Sequence, residues 1–267
     1  MTEFTGKVII ITGASEGIGR ALALELAAQR AILVLAARNE KRLEELKKKI
    51  EDKGGQAAVI PTDVADKDQC KRLIDQTVEQ YTRIDVLVNN AGRSMWTGFE
   101  EITDLSLVEE LIQLNYLGSV YCTYYALPWL KKSKGSIIPV ASVAGFTGVP
   151  QRTAYSASKH AMVGFFDSLR IELEGTGVSI TTVAPDYVLS ELHRRAYNRD
   201  GGALGTSPMQ ESKIMTSEAC AKLIVKAMAR KDRLVLTSIR SKVGRWLKLF
   251  APGLVDNIAS KAIRERK

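Results

Sequence analysis

The chain of 267 residues is 45% hydrophobic and 25% charged, proportions that exclude a coiled coil, a collagen-like chain and extensive disorder. Its net charge of +8 is uneven, because residues 239–267 hold eight basic and two acidic side chains whereas residues 1–238 hold 30 and 28. Residues 1–238 are thus nearly neutral and lack the broad basic face of a nucleic-acid-binding protein, so we expect no nucleic-acid partner.

Apolar runs of strand length alternate with helical patterns along the chain. We predict strands at residues 7–12, 32–36, 56–61, 85–88, 136–140, 179–183 and 233–236. We predict helices at residues 18–30, 39–53, 67–81, 105–132 and 154–174. Nearly continuous apolar strands with helices between them predict an α/β fold, a doubly wound parallel sheet of about seven strands covered on both faces. No repeat or linker divides the chain, so we expect a single domain over residues 1–238 with a C-terminal helical extension, residues 239–267.

Several features bear on the compartment. Residues 111–130 carry no charge, but their polar side chains, tyrosines and proline suit a buried helix better than a membrane span. The chain opens without a secretory signal pattern. Three scattered cysteines favour a reducing compartment, and two histidines make a metal centre unexpected. We therefore expect a cytoplasmic protein without a metal.

A glycine-rich loop, Thr12-Gly13-Ala14-Ser15-Glu16-Gly17-Ile18-Gly19, follows the first predicted strand. Glycine permits a tight turn there and lets the backbone approach a phosphate, which the free N–H groups at a helix start can bind. The spacing differs from that of the general dinucleotide fingerprint, so an ordinary strand–helix turn is the alternative. The position within a βαβ unit favours a dinucleotide site.

The end of the second predicted strand indicates which dinucleotide is bound. Enzymes that use NAD usually place an acid there to hold the ribose 2′-hydroxyl, whereas this chain has Ala37-Arg38. A guanidinium suits a 2′-phosphate, which favours NADP(H). The alternative is that Arg38 is a solvated residue at a helix start.

Tyr155 and Lys159 stand four residues apart in a predicted helix, so both face one side. A phenol has a pKa of about 10, and a neighbouring ammonium lowers it by favouring the phenolate. Such a pair could pass a proton to or from a carbonyl oxygen. By itself the spacing is more often that of a surface pair.

Five motifs in this order resemble those of the short-chain dehydrogenase/reductase family over about residues 6–238. They are T-G-x-x-x-G-x-G at 12–19, N-N-A-G at 89–92, the helix asparagine Asn115, Ser142 thirteen residues before the tyrosine, and Y-x-x-x-K at 155–159. The resemblance implies a Rossmann-type sheet and a homo-oligomer, dimer or tetramer, built on the helix that carries Tyr155.

The resemblance also implies roles in catalysis. Tyr155 would be the acid/base, and Lys159 would lower its pKa and hold the nicotinamide ribose. Ser142 would bind the substrate oxygen, and Asn115 would hold a water in a proton relay. The alternative roles are purely structural, such as a strand-end cap for Ser142 and a helix kink for Asn115.

The cofactor contacts implied by the resemblance lie on loops. Asp63 would meet the adenine, whereas Val188 and Ser190 would meet the carboxamide. The full predicted set is Gly13, Ser15, Glu16, Gly17, Ile18, Gly19, Arg38, Asp63, Val64, Asn89, Ala91, Gly92, Tyr155, Lys159, Pro185, Val188 and Ser190. One position departs from the family, since Pro185 is followed by Asp186 where the family usually has glycine.

Residues 115–118, 157–166, 168–170 and 244–253 are similar to the hydroxysteroid dehydrogenase-like branch. The function implied is an NADP(H)-dependent oxidoreductase of a ketone or secondary alcohol, lipophilic or steroid-like. Residues 190–215, rich in glycine and charge, are expected to form a mobile substrate lid. The alternatives are a 3-oxoacyl-thioester reductase of the acyl-carrier-protein type and a non-catalytic NADP-binding sensor.

The extension alternates apolar side chains such as Trp246 and Phe250 with basic ones such as Arg245 and Lys248. A basic amphipathic helix can lie on an anionic membrane surface. The other interpretation, which we favour, is that it packs on a neighbouring subunit or covers the pocket.

Overall fold

The computed structural model describes residues 3–209, 212 and 214–264. Residues 262–264 are described by their backbone alone. Its strands are β1 (Val8–Thr12), β2 (Ile32–Ala37), β3 (Gln56–Pro61), β4 (Val86–Asn89), β5 (Ser136–Pro139), β6 (Ser179–Ile180), β7 (Thr182–Ala184) and β8 (Leu234–Leu236). The first six form a parallel sheet in the order β3-β2-β1-β4-β5-β6, and β7 pairs with β8. The predicted α/β class and doubly wound sheet are confirmed.

The break between β6 and β7 has its cause in the neighbouring strand. Thr181 donates its N–H to the Ile137 carbonyl, and Ala141 donates to the Val183 carbonyl, so β5 and the two residues after it run alongside both pieces. Between these two bonds lies Pro139, which has no N–H to donate. The predicted sixth strand is therefore one extended segment interrupted opposite a missing donor, and β8 is the predicted seventh.

The helices cover both faces of the sheet. They are α1 (Gly17–Ala27), α2 (Glu40–Glu51), α3 (Lys67–Tyr81), α4 (Ser106–Ile112), α5 (Gly118–Ser133), α6 (Thr153–Glu172), α7 (Ser217–Arg230), α8 (Ile239–Phe250) and α9 (Pro252–Arg264). Alternate residues of β1 face opposite ways: Ile9 and Ile11 pack with α1, α2 and α7, whereas Val8 and Ile10 pack with α3, α5 and α6. Two apolar layers thus enclose the sheet.

The long helical stretch predicted at residues 105–132 is confirmed, but it is not a regular α-helix throughout. It is divided into α4, a π-helical turn over Gln113–Leu117, and α5. The π-turn places the buried Asn115 amide against the loop after β4. Such turns occur mostly where a helix must present a particular group, which periodicity does not reveal.

Two further sequence predictions can be placed. In the predicted lid, the described residues of 190–215 form turns and isolated bridges, among them Met95 to Tyr197 and Val188 to Met215, while residues 210, 211 and 213 lie outside the described part. Residues 265–267 of the extension also lie outside it. Among the helices that the structure describes, none has both the length and the apolar character to cross a membrane.

The packing of α6 on the sheet can be tested at Phe166, which is fully buried. Phe166→Ala should lower the free energy of unfolding in urea by about 3–5 kcal/mol, because it removes apolar contacts and leaves a cavity. The matched control is Phe99→Ala at a side chain that is 63% exposed, which should change it by less than about 0.5 kcal/mol. Equal effects of the two substitutions would contradict the described packing.

Candidate active site

A cleft of about 880 Å³ lies at the carboxyl ends of the strands, where the strand order reverses between β1 and β4. Most of the predicted site residues line it: Gly13, Ser15, Glu16, Gly17, Ile18, Arg38, Asp63, Val64, Ala91, Gly92, Ser142, Tyr155, Lys159, Pro185, Val188 and Ser190. The exceptions are Gly19, Asn89 and Asn115, which lie behind the cleft wall.

The glycine loop is shaped by close backbone approaches. Gly13 has a φ of +66°, and a Cβ there would stand 2.8 Å from the Ala91 Cα. A Cβ at Gly19 would stand 2.4 Å from the Gly13 carbonyl oxygen. Side chains at either position would thus force the loop apart.

Asn90, which the sequence prediction passed over, holds this loop in place. Its amide donates to the carbonyls of Thr12 (2.9 Å) and Gly13 (3.2 Å). The neighbouring Asn89, which was predicted to contact the cofactor, is buried and donates to Thr123 instead. Successive residues at a strand end point in opposite directions, so only one of the two asparagines can face the loop.

At the far end of the cleft, the Arg38 side chain is 66% exposed, and its guanidinium lies 3.7 Å from Asp63. Glu16 bridges two other cations, Arg42 at 2.7 Å and Arg195 at 2.8 Å. The bare glycine backbone at one point and the accessible Arg38 at another fit the dinucleotide that the sequence analysis predicts from these same residues.

Tyr155 is buried on α6 and faces the cleft. Burial raises the pKa of its phenol, while the charge of Arg152 and the Ser142 hydroxyl lower it. Ser142 caps the short helical turn Val143–Gly145 by accepting the Ala144 N–H, which fixes its hydroxyl beside the cleft. A phenol, a hydroxyl and a cation therefore converge on one point.

Lys159 is also buried, and its Nζ donates to the Val140 carbonyl at 2.9 Å. Burial lowers the pKa of this amine to about 8. Its Nζ stands 6.0 Å from the centre of the Tyr155 ring. On balance burial raises the pKa of Tyr155, and the charge of Arg152 opposes this rise.

Asn115 supports the floor of the cleft from behind. Its Oδ1 accepts the Arg93 N–H at 2.8 Å, and its Nδ2 donates to the Arg93 carbonyl and to the Ser158 hydroxyl, each at 2.9 Å. A Cβ at Gly92 would stand 2.9 Å from the Asn115 Oδ1. The amide therefore fixes the N-N-A-G turn relative to α6.

Arg152 is a site residue that the sequence analysis missed. It is only 5% exposed and lines the cleft. Its guanidinium lies over three rings, 4.3 Å from the centre of Trp96, 5.4 Å from Tyr187 and 5.7 Å from Tyr155. Cations stack favourably on aromatic faces. Because the three rings come from separate segments, no local motif signals the cluster.

The C-terminal extension closes one side of the cleft. Its inward side chains, among them Leu247 and Val255, belong to the cleft wall. Lys248 donates to the Phe146 carbonyl at 2.8 Å, and the Arg245 guanidinium lies 5.4 Å from the Phe146 ring. Of the predicted arrangements, the structure shows the extension covering the pocket of its own chain.

Comparison with known proteins agrees with the fold and the motifs. The short chain dehydrogenase family model matches residues 7–200. The 11-beta-hydroxysteroid dehydrogenase 1A of Arabidopsis thaliana is 38% identical over 258 residues, which cover 94% of this chain and 74% of that protein. The 11-beta-hydroxysteroid dehydrogenase-like 4A of the same plant is 39% identical over 254 residues, covering 95% and 83%.

Solved structures share the architecture. A short chain dehydrogenase/reductase from Burkholderia phymatum in complex with NAD superimposes with a TM-score of 0.84 at 26% identity, over 95% of this chain and 96% of that one. An alcohol dehydrogenase from Thermococcus sibiricus, complexed with 5-hydroxy-NADP, has a TM-score of 0.75 at 24% identity, over 86% and 95%, and shows a shared fold. The chain belongs to the short-chain dehydrogenase/reductase family, in its hydroxysteroid dehydrogenase-like branch.

Proposed function

We propose that this protein is an NADP(H)-dependent oxidoreductase that interconverts a lipophilic ketone and its secondary alcohol. Membership of the family makes it an oxidoreductase acting on CH–OH groups. The observation that carries the finer proposal is the convergence of Tyr155, Ser142 and a buried cation inside a cleft that also contains the glycine loop.

Tyr155 is the residue that we assign to proton transfer. In reduction its neutral phenol gives a proton to the carbonyl oxygen, and in oxidation the phenolate takes the hydroxyl proton. Ser142 binds the same oxygen and orients it. The nicotinamide, when bound, supplies or accepts the hydride. Burial excludes water from the transfer and makes the neighbouring charge of Arg152 more effective.

Lys159 and Asn115 act behind the phenol. An amine with a pKa of about 8 is partly protonated near neutral pH, so Lys159 can both donate to a ribose hydroxyl and exchange protons. Asn115 positions the Gly92–Arg93 backbone, since its amide is bonded to that turn. We also propose that Asn115 holds a water in a proton relay.

The preference for NADP(H) rests on Arg38. Its exposed guanidinium stands where a ribose phosphate would reach it, and the preceding Ala37 offers no acid to a 2′-hydroxyl. Since the similar structures contain NAD in one case and an NADP derivative in the other, they do not decide between the two.

The substrate class follows from the cleft wall. Phe146, Val149, Leu192 and Leu247 are among its lining residues. Apolar walls with few polar groups suit a lipophilic molecule, and the curated relatives are named as hydroxysteroid dehydrogenases. We therefore propose a steroid-like ketone or alcohol rather than an acyl-carrier-protein thioester.

Two exposed surfaces support the proposed homo-oligomer and the proposed membrane contact. Tyr124 on α5 and Ile171 on α6 are 71% and 72% exposed, which suits a homo-oligomer built on these helices. On the outward side of α8, Trp246 and Phe250 are exposed beside basic residues, which suits peripheral contact with an anionic membrane.

A panel of small and steroid-sized ketones and alcohols, run separately with NADPH and NADH, tests the activity. We expect turnover of lipophilic ketones with a clear preference for NADPH. Tyr155→Phe should lower kcat by about 10²-fold or more and leave the Kd for NADPH nearly unchanged, because it removes only the transferable proton. Tight NADPH binding without any turnover would instead indicate a non-catalytic sensor. Turnover of 3-oxoacyl thioesters alone would indicate a reductase of the acyl-carrier-protein type. A preference for NADH would overturn the argument from Arg38.

Arg152 gives the pH dependence a defined sign. Arg152→Gln removes the charge that lowers the pKa of Tyr155, so that pKa rises. Alcohol oxidation needs the phenolate, so its rate increases as the pH rises through this pKa. In the variant this increase in rate should shift by about 1 pH unit or more toward alkaline pH. Lys159 and Tyr187, which also face this phenol, are unchanged in the variant. Arg152→Lys, which keeps the charge, should retain most of the profile; an unmoved profile in Arg152→Gln would contradict the electrostatic role.

Co-sedimentation with anionic phospholipid vesicles tests the membrane contact. The full chain should sediment with the vesicles, and Trp246→Gln/Phe250→Gln should remain in the supernatant, because it removes exposed apolar surface without altering the cleft wall. Phe99→Gln, at an exposed aromatic residue far from the extension, is the matched control. Failure of the full chain to bind, or equal loss in both variants, would contradict the proposal.

A further inference from the structure

Asp186 occupies the position where the family usually has glycine, two residues beyond the end of β7, and it lines the cleft. Its side chain is only 14% exposed. A carboxylate so far removed from water requires partners, and the structure shows where it finds them.

The partners that the structure describes for Asp186 lie where β8 ends and the C-terminal extension begins. The Arg240 guanidinium donates to both carboxylate oxygens, with Nη2 at 2.7 and 2.9 Å and Nε at 3.3 Å. The Ser238 hydroxyl donates to Oδ2 at 2.7 Å, and the Asp186 N–H donates to the Thr237 hydroxyl at 2.9 Å. A two-pronged guanidinium–carboxylate pair fixes orientation as well as distance.

These contacts fix the beginning of α8. Ser238 is the N-cap of that helix, and Arg240 lies in its first turn. The negative charge of Asp186 stands at the positive end of the helix dipole, which favours the same arrangement. One carboxylate therefore sets where the extension leaves the sheet and in which direction it runs.

The pair is also connected to the reacting end of the cleft. Arg240 lies 5.6 Å from the centre of the Tyr187 ring, and Arg152 lies 5.4 Å from the same ring. Arg152 in turn stands beside Tyr155. Only one aromatic ring thus separates the pair from the cation next to the proposed proton donor.

Beyond the pair, the extension supplies an apolar wall. Leu247 of α8 and Val255, Ile258 and Ala259 of α9 line the cleft. A small ketone held near Tyr155 by its oxygen has no need of this wall, whereas a large apolar substrate does.

We propose that Asp186 and Arg240 are positioning residues for substrate specificity: their ion pair holds the extension as the outer wall of the cleft and so favours bulky lipophilic substrates. This inference rests on the proposed function. It accounts for the departure from glycine at residue 186, which is a requirement of the extension rather than of the cofactor.

The test compares Asp186→Asn, Arg240→Gln and the double variant with Lys242→Gln, an exposed basic residue of the same helix. The KM for a steroid-sized ketone should rise roughly tenfold in each single variant, with kcat and the KM for a small ketone little changed. The rise in this KM in the double variant should be much smaller than the product of the two single rises, because both substitutions break the same contact. Trypsin should also cut the extension faster in these variants than in Lys242→Gln.

The outcomes separate the two levels of the proposal. An unchanged KM for the bulky ketone, or an equal rise for both ketones, would overturn the specificity role. Lack of turnover of every ketone by the unmodified protein would overturn the proposed function and the specificity role with it. In that case faster proteolysis would still support the Asp186–Arg240 attachment, and unchanged proteolysis would overturn it too.

Discussion

The cleft depends on the contact between the glycine loop and the turn after β4. The Thr12 hydroxyl donates to the Val88 carbonyl and accepts the N–H groups of Asn90 and Ala91, at 3.0 and 3.1 Å. The Asn90 amide returns to the carbonyls of Thr12 and Gly13. These bonds join two strands whose helices leave in opposite directions, so the crevice between the helices stays open. This junction therefore fixes the glycine loop beside the N-N-A-G turn at the edge of the cleft.

The chemistry of the cleft results from opposing electrostatic effects. Burial excludes water but raises the pKa of Tyr155 and lowers that of Lys159, so both groups tend toward their neutral forms. With a pKa of about 8, Lys159 is still largely protonated at pH 7 but loses its charge as the pH rises through that value. Arg152 keeps its charge when buried, because a guanidinium remains protonated and its flat faces stack on aromatic rings. It therefore supplies the permanent charge that a dry site requires.

Sequence reasoning recovered what is encoded locally. The strands of the sheet follow from apolar runs, and the spacing of Tyr155 and Lys159 places both on one side of a helix at the cleft. It could not recover contacts between distant segments. The π-turn at Asn115 depends on a turn over twenty residues earlier, and the Arg152 cluster draws rings from three segments. Periodicity reports which side of an element is apolar, not which partner it meets.

The C-terminal extension shows why the distinction between local patterns and contacts between distant segments matters. Leu247 faces the cleft, whereas Trp246, Leu249 and Phe250 on the same helix are exposed. A helix needs one apolar side to pack on its own domain, so a second one requires a separate explanation. The basic amphipathic pattern is compatible with either surface, whereas the ion pair at Asp186 and the Lys248 hydrogen bond to Phe146 hold the Leu247 side inward. The same helix can then bound the cleft on one side and present an apolar surface on the other, which is the arrangement that the proposed lipophilic substrate and the proposed membrane contact would require.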